Sequence, residues 1–340
     1  MLKIIAPLRE KKEVSALIEA GADELYCGYL SREWAKAFTP LEFERKGHRS
    51  NFTDLLQLKQ AVGLAHKNGV PVFLALNGLY VREQYPLLLK TVRELEQTGL
   101  DGYIVADLGL LLTLNKLGTK KELHLSTGAT VFNSRAAGFF RDLGVSRIVL
   151  DRQTDFDSMR EICRDNPGID FEAFVLFTLC VYIDGFCTFL HAYTAQDRQE
   201  AAAGKRGALR LITTYDPYMP MDACRMEFRA RTFKGKRQVN RPQPVFYKHL
   251  VDSTECGACA LYDLARSGIK AVKIVGRQLS SEDRVLGTGF IRRCLDILRD
   301  HPGISRRDFN AKVQERYRKS FAYRKKCRGN NCYFPEVLSA

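Results

Sequence analysis

The sequence contains no apolar run that approaches the length of a membrane-spanning helix, which needs about 20 apolar residues in succession. Its first residues, MLKIIAPLREKKEV, have only a short apolar stretch before charges follow. That order is typical of a first strand and helix rather than of a signal peptide. From these two absences we expect no membrane insertion and a cytoplasmic location.

The motifs of common hydrolases are also missing. None of the six histidines belongs to an HExxH motif, and Ser126 lacks the flanking glycines of a nucleophile elbow. His124 lies two residues before Ser126, and we interpret this pair as packing rather than as a catalytic dyad. The residues by themselves therefore give no positive indication of a peptidase.

Acidic residues are in the minority, with 39 Asp and Glu against 53 Lys and Arg and a net charge of +14. The basic excess concentrates in the stretches 225–248 and 316–328. Aromatic residues are interleaved with it: Phe228, Phe233, Phe246, Tyr247, Tyr317, Phe321 and Tyr323. Such stretches favour an anionic partner, either RNA, on whose bases the rings could stack, or a small aromatic anion. The alternative is a solvated basic surface with the rings packed onto the protein.

Short β-rich runs alternate with amphipathic helices along most of the chain. The pattern predicts seven strands between residues 2 and 177 and an eighth, AVKIVG, after a long insertion. Helix ends are predicted at Gly21, Gly69, Gly99, Gly118 and Gly144. Alternating strands and helices imply a parallel sheet with right-handed crossovers. We predict a TIM-like (β/α)8 barrel over residues 1–300, with an open doubly wound sheet as the alternative, and a basic C-terminal tail over 301–340.

The active site of a TIM barrel lies at the C-terminal ends of its strands. Four polar residues at predicted strand ends are the candidates for catalysis: Asn77, Asp107, Arg152 and Arg277. The two arginines could bind a carboxylate or phosphate through paired hydrogen bonds, or they could form ion pairs within the mouth of the barrel. Asp107, like Asp151, stands just before a predicted helix, so capping of the helix is the alternative to catalysis.

The sequence contains ten cysteines. Because the cytoplasm is reducing, they are not expected to form a disulfide framework, which gives weight to metal or redox chemistry. The insertion 180–256 holds four of them: Cys180, Cys187, Cys224 and Cys256. Only Cys256 and Cys259 form a close pair, so the two-pair spacing of common zinc sites is absent. Dispersed cysteines suit a [4Fe–4S] cluster, with zinc or unligated thiols as alternatives. Cys163 and Cys294 fit the apolar faces of helices and are expected to be buried.

Several segments, in consistent order over residues 1–300, together resemble the U32 family, historically described as peptidases and collagenases. The segments are GADELYCGY, NFTDLLQLKQAVGLAHKNGVPVFLALN, LDGYIVADLGLL, LHLSTGATVFNSRAAGFFRDLGVSRIVLDR, FEAFV, Cys-x6-Cys from Cys180 to Cys187, and GIKAVKIVGR. Each segment alone would be a weak signal, but their joint occurrence is specific.

The resemblance carries implications for the cofactor and the reaction. Several U32 proteins hold a [4Fe–4S] cluster on four cysteines, which implies the ligands Cys180, Cys187, Cys224 and Cys256, with Cys259 as a substitute for the last. Members act as oxygen-independent hydroxylases in ubiquinone biosynthesis or on RNA bases, and some form heterodimers. The resemblance thus implies redox modification of RNA or a small aromatic anion. A U32-type peptidase, or a non-catalytic iron–sulfur subunit that serves a redox partner or second U32-type chain, is the alternative.

The sequence also departs from the family pattern near these cysteines. The usual His-Gly pair before the first ligand is Leu176-Phe177, and acidic or amide residues of the family are replaced at Gly128, Gln153 and Val275. Groups that could move protons are missing, so we expect the cluster to remain while the substrate or chemistry differs. In the tail, Cys327 and Cys332 are too few for a metal site of their own, and a disulfide or free thiols are equally open.

Overall fold

The computed structural model describes residues 1–38, 50–180, 182–187, 255–321 and 332–338, together with the backbone of four short strands between residues 228 and 245. Eight parallel strands close into a barrel, in which β1 pairs with both β2 and β8. The strands are β1 (Lys3–Pro7), β2 (Glu24–Cys27), β3 (Val72–Leu76), β4 (Gly102–Val105), β5 (Glu122–Leu125), β6 (Arg147–Val149), β7 (Asp170–Leu176) and β8 (Ala271–Ile274). The predicted (β/α)8 barrel is confirmed, and the open doubly wound sheet is excluded.

Helices follow the strands and cover the outside of the barrel. They are α1 (Val14–Glu19), α2 (Arg32–Ala37), α3 (Leu55–His66), α4 (Tyr85–Glu96), α5 (Leu108–Lys116), α6 (Ser134–Asp142), α7 (Phe156–Asp165), α8 (Leu261–Leu264), α9 (Ser281–Asp300) and α10 (Arg306–Ser320). No described helix is both long enough and apolar enough to cross a membrane.

The helix boundaries follow from local chemistry. Polar side chains accept a hydrogen bond from a first-turn backbone N–H, as at Ser31, Asp54, Asp107, Asn133, Asp155, Ser280 and Ser305. The five glycines predicted to end helices all have positive φ, between 70° and 100°. These local signals explain why the order of elements was readable from the sequence.

The insertion lies between β7 and β8, as predicted. Its described strands pair antiparallel, Phe228–Ala230 with Gln243–Val245 and Phe233–Lys234 with Arg237–Gln238. Cys224 and Cys327 lie outside the described residues, as do the side chains of the basic stretch 225–248.

The region expected to be a basic tail begins with helix α10, which packs against α9. Tyr317 and Phe321 are buried there, with ring centroids 5.9 Å and 5.3 Å from that of Phe290. For these two residues the expectation of base stacking is wrong, because their rings complete the hydrophobic core. The packing alternative holds instead.

Charged side chains fill one layer inside the barrel. Arg147 forms an ion pair with Glu24, to which its Nη2 donates at 3.1 Å, and Lys273 Nζ donates to Glu172 Oε1 at 2.8 Å. Burial alone would raise the pKa of Glu24, but hydrogen bonds and charge from Arg147 and Lys3 hold it below its ordinary value. All four groups are buried, so each charge depends on its partners for solvation.

Removal of the Arg147 charge should therefore destabilise the whole barrel. Arg147→Met removes the buried cation that lies between Glu24 and Glu172 and leaves each carboxylate with only one lysine, a loss of about 3–5 kcal/mol in the free energy of unfolding. Arg160→Ala is the matched control, since its ion pair with Asp157 is solvent-exposed and should contribute little. Urea unfolding followed by circular dichroism measures both, and equal stability of the two variants would contradict the role given to the buried pair.

Candidate functional site at the mouth of the barrel

The two arginines predicted at strand ends each lie over an aromatic ring that belongs to a barrel strand. The Arg152 guanidinium is 4.0 Å from the centroid of Phe174, and that of Arg277 is 5.8 Å from the centroid of Tyr26. Burial raises the pKa of Tyr26, while the charges of Arg277 and Arg152 oppose the rise. Both predicted arginines therefore act electrostatically on the phenol of Tyr26, and they make this part of the mouth positively charged.

Arg277 follows β8 and is held across the mouth by Asn51. Its Nη1 donates to Asn51 Oδ1 at 2.8 Å, and both side chains are buried. The guanidinium passes directly over Gly28, at the end of β2. A Cβ atom there would lie 1.9 Å from Arg277 Nη1, so only glycine leaves room for this arrangement.

Arg152 follows β6 and forms an ion pair with Asp184, which lies between Cys180 and Cys187. Tyr333, in the C-terminal segment, also interacts electrostatically with Arg152, whose charge opposes the rise that burial causes in the pKa of the Tyr333 phenol. In this structure Arg152 therefore forms an ion pair within the mouth of the barrel, which was the alternative to anion binding. Its Nε has no hydrogen-bond partner among the described residues, so one edge of the guanidinium has capacity for a further acceptor.

Asp107 is occupied by structural contacts. Its Oδ1 accepts hydrogen bonds from Leu110 N at 2.7 Å and Tyr85 Oη at 2.8 Å, while Oδ2 accepts from Tyr80 N at 3.2 Å. The geometry thus favours the capping interpretation for Asp107.

Asp151 differs from Asp107, because Asp155 caps the helix that follows it. The Asp151 carboxylate instead accepts from Gln153 N at 2.9 Å, and burial raises its pKa. Asn77 ends β3, and its buried Oδ1 has no hydrogen-bond partner within the described ranges. A catalytic role for Asn77, Asp107, Arg152 or Arg277 stays a prediction.

The cysteine loop, residues 180–187, rests on the segment Ser126–Thr130 that follows β5. Gly185 touches this segment so closely that a Cβ would lie 2.4 Å from Gly128 O. On the other side, Gln153 Nε2 donates to Cys180 O at 3.0 Å. Two departures from the family pattern, Gly128 and Gln153, therefore lie beside this loop: one is part of the surface on which it rests, and the other supplies a donor that a glutamate could not.

The loop leaves β7 through a strained backbone. Phe177 and Thr178 have φ of 63° and 51°, in the left-handed region that bulky residues rarely adopt. Phe177 is fully buried; its N–H donates to Glu255 O at 2.8 Å and its carbonyl accepts from Tyr333 Oη. The glycine expected here from the family resemblance would adopt this φ without strain. Phe177 has the strained backbone conformation, but its ring packs in the core.

Cys256 lies beside the end of β7, where its backbone forms an antiparallel β-bridge with Leu176. On its other side the backbone of Cys256 forms a parallel β-bridge with Cys332. The Ala258 N–H points at Cys256 Sγ, 3.4 Å away, and such N–H groups stabilise thiolates bound to iron. Burial raises the pKa of both Cys256 and Cys180, so they remain thiols unless a metal replaces the proton.

The cysteines near the mouth supply the type of ligand that an iron–sulfur cluster uses. Among the described residues, no three Cys, His, Asp or Glu side chains lie close enough to bind one metal. A cluster places each cysteine on a different iron, so its ligands need not share an atom, and an all-cysteine set is its usual one. Cys256 is a bridge partner of Leu176 at the end of β7, and Cys180 and Cys187 belong to the loop that follows this strand.

A cavity of about 500 Å³ opens beside Arg152. Its lining includes Phe156, Arg160, Arg306, Tyr333 and Phe334, so cations and aromatic rings face the same space. Of the four predicted catalytic residues, only Arg152 lines it.

Comparison with known proteins identifies the family to which the chain belongs. The family model described as Peptidase family U32 matches residues 9–331. A 23S rRNA 5-hydroxycytidine synthase of Escherichia coli is 26% identical over 304 residues, covering 89% of this chain and 40% of that protein. A tRNA hydroxylation protein of Bacillus subtilis is 25% identical over 195 residues, covering 57% and 43%. A collagenase of Porphyromonas gingivalis is 25% identical over 214 residues, covering 59% and 48%. The chain thus spans less than half the length of each of these relatives.

Three contributors to the site were not predicted from the sequence: Asp184, Tyr333 and Asn51. Each acts on an arginine that is distant in sequence or in a separate loop, and no local pattern marks such a pairing. Phe177 was noticed only as a departure from a family glycine. That departure was itself a usable signal, because a family glycine often marks a positive φ.

Substitutions at Phe177 should separate backbone strain from packing. Phe177→Gly and Phe177→Ala both lose the ring that packs against Phe321, but only glycine adopts the local φ without strain. We expect the glycine variant to be more stable than the alanine variant by about 1 kcal/mol, opposite to their order in a helix. Thermal unfolding of the two proteins measures the difference, and an alanine variant that equals or exceeds glycine would show that no strain is stored here.

Proposed function

Because the chain belongs to peptidase family U32, we propose that it is an iron–sulfur-dependent enzyme that hydroxylates, or modifies by related redox chemistry, an RNA base or a small aromatic anion. Relatives named for rRNA and tRNA hydroxylation support the reaction class. The observation that carries the proposal is the position of Arg152. Its side chain lines the cavity, lies over the ring of Phe174, and forms an ion pair with the loop that holds Cys180 and Cys187.

Cys180, Cys187 and Cys256 would hold the cluster, with the fourth thiolate supplied by Cys224 as the resemblance implies. Bound there, a [4Fe–4S] cluster supplies one-electron redox chemistry or a Lewis-acid iron. The protein's own contribution is to fix the thiolates and shield them. Ala258 N–H offers a hydrogen bond to Cys256 Sγ, and the Arg152 charge favours the thiolate of Cys180.

Binding of an anion would fall to the arginines. Arg152 has an unused Nε, and Arg160 and Arg306 line the same cavity, so a phosphate or carboxylate would meet several donors. Phe156 and Phe334 stack with centroids 5.1 Å apart and provide an aromatic wall. A base of RNA or a small aromatic ring fits these two features together, and the positive net charge favours RNA.

Proteolysis has no comparable support, although a relative is named as a collagenase. His124 Nε2 is engaged with Glu122 at 2.9 Å, and burial lowers the pKa of His124. Ser126 Oγ accepts from Gly128 N at 3.3 Å. His124 and Ser126 are thus each engaged with another partner, which supports the packing interpretation.

Analysis of modified nucleosides tests the RNA reaction. Deletion of the gene should remove one hydroxylated nucleoside from rRNA or tRNA, leaving the form that lacks one oxygen, as mass spectrometry of digested RNA would show. The wild-type chain should restore the modification, whereas Cys180→Ala should not. Cys163→Ala is the matched control, because this thiol lies on α7 and packs against Gly268.

An unchanged nucleoside profile in the deletion strain would contradict an RNA substrate. The same strain then separates the remaining choices: accumulation of an under-hydroxylated aromatic acid would indicate a small-molecule substrate. No change in either pool would favour a non-catalytic iron–sulfur partner for a second U32-type chain or a redox protein.

A further inference from the structure

The structure brings a second cysteine, from the far end of the chain, next to Cys256. Residues Cys256 and Cys332 are partners in a parallel β-bridge, and Tyr333 N donates to Cys256 O at 3.1 Å. Cys332 is buried at this bridge. We propose that Cys332 is the fourth ligand of the iron–sulfur cluster, in the place that the family resemblance gives to Cys224.

The contacts of the C-terminal segment, residues 332–338, support this assignment. Phe334 stacks on Phe156, and Asn310 Nδ2 donates to Val337 O at 3.0 Å. Gly257, next to Cys256, lies so close that a Cβ there would be 2.9 Å from Tyr333 Cβ. The described residues that follow Cys332 are therefore packed firmly into the protein, as a ligand position requires.

The same segment is tied to the other proposed ligands. Tyr333 Oη donates to Phe177 O, at the exit of β7 that leads to Cys180, and Tyr333 also interacts electrostatically with Arg152. Arg152 is paired with Asp184 and acts electrostatically on Cys180. One guanidinium thus connects the cysteine loop with the residue that follows Cys332.

The chemistry of Cys332 is compatible with ligation. Its Sγ donates a hydrogen bond to Phe334 O at 3.2 Å. As a ligand it would bind iron as the thiolate, the form in which cysteine holds such clusters. The inference rests on the proposed cluster, because Cys256 and Cys332 alone supply two ligands.

The test uses the full chain, purified without oxygen, with iron, acid-labile sulfide and visible absorption measured per chain. We expect Cys332→Ala to lose most of its iron and its visible band, while Cys224→Ala keeps both. Cys163→Ala is a neutral control. Far-UV circular dichroism after iron chelation, compared with chelated wild type, establishes that Cys332→Ala is folded.

Cys332→Ser provides a second measurement that a purely structural role would not affect. A serine oxygen in place of the thiolate should shift the electron paramagnetic resonance spectrum of the reduced cluster. Full iron and an unchanged spectrum in both Cys332 variants, with loss in Cys224→Ala, would overturn the inference and leave the proposed function intact. A wild-type chain without iron and sulfide would overturn the cluster itself, and the role of Cys332 with it.

Discussion

The buried guanidinium of Arg152 is the group on which the arrangement of the barrel mouth depends. A cation removed from water must be compensated, and here the compensation comes from Asp184 in the cysteine loop, from Tyr333 in the C-terminal segment and from the face of Phe174. Three segments far apart in the chain are thereby drawn to one charge. Any site built from the cysteines of these segments inherits its geometry from this interaction.

The strain at Phe177 belongs to the same arrangement. A phenylalanine holds a φ suited to glycine because its ring is packed in the core and its backbone bonds to Glu255 and Tyr333. The neighbouring departures at Gly128 and Gln153 also lie beside the cysteine loop. These departures from the family pattern are therefore concentrated around the loop that holds Cys180 and Cys187.

The barrel could be predicted from the sequence because its signals are local: alternating strand and helix patterns, capping residues and glycines at helix ends. The site could be predicted only in part. Positions such as Arg152 and Arg277 followed from the rule that barrel strands end at the active face. Their partners could not be predicted, since Asn51 and Tyr333 reach them only through the tertiary fold. Tyr317 and Phe321 were considered as rings that could stack on RNA, but they are buried. Composition alone does not distinguish an aromatic ring that stacks on RNA from one that packs in a core.

The most direct test of the account is the metal content of the wild-type chain purified without oxygen. About four irons and four acid-labile sulfides per chain, with a broad thiolate-to-iron absorption band, are the predicted result. A folded, oxygen-protected protein that contains zinc alone, or no metal, would contradict the redox function. The arginines and the cavity beside Arg152 would then have to be explained by binding alone.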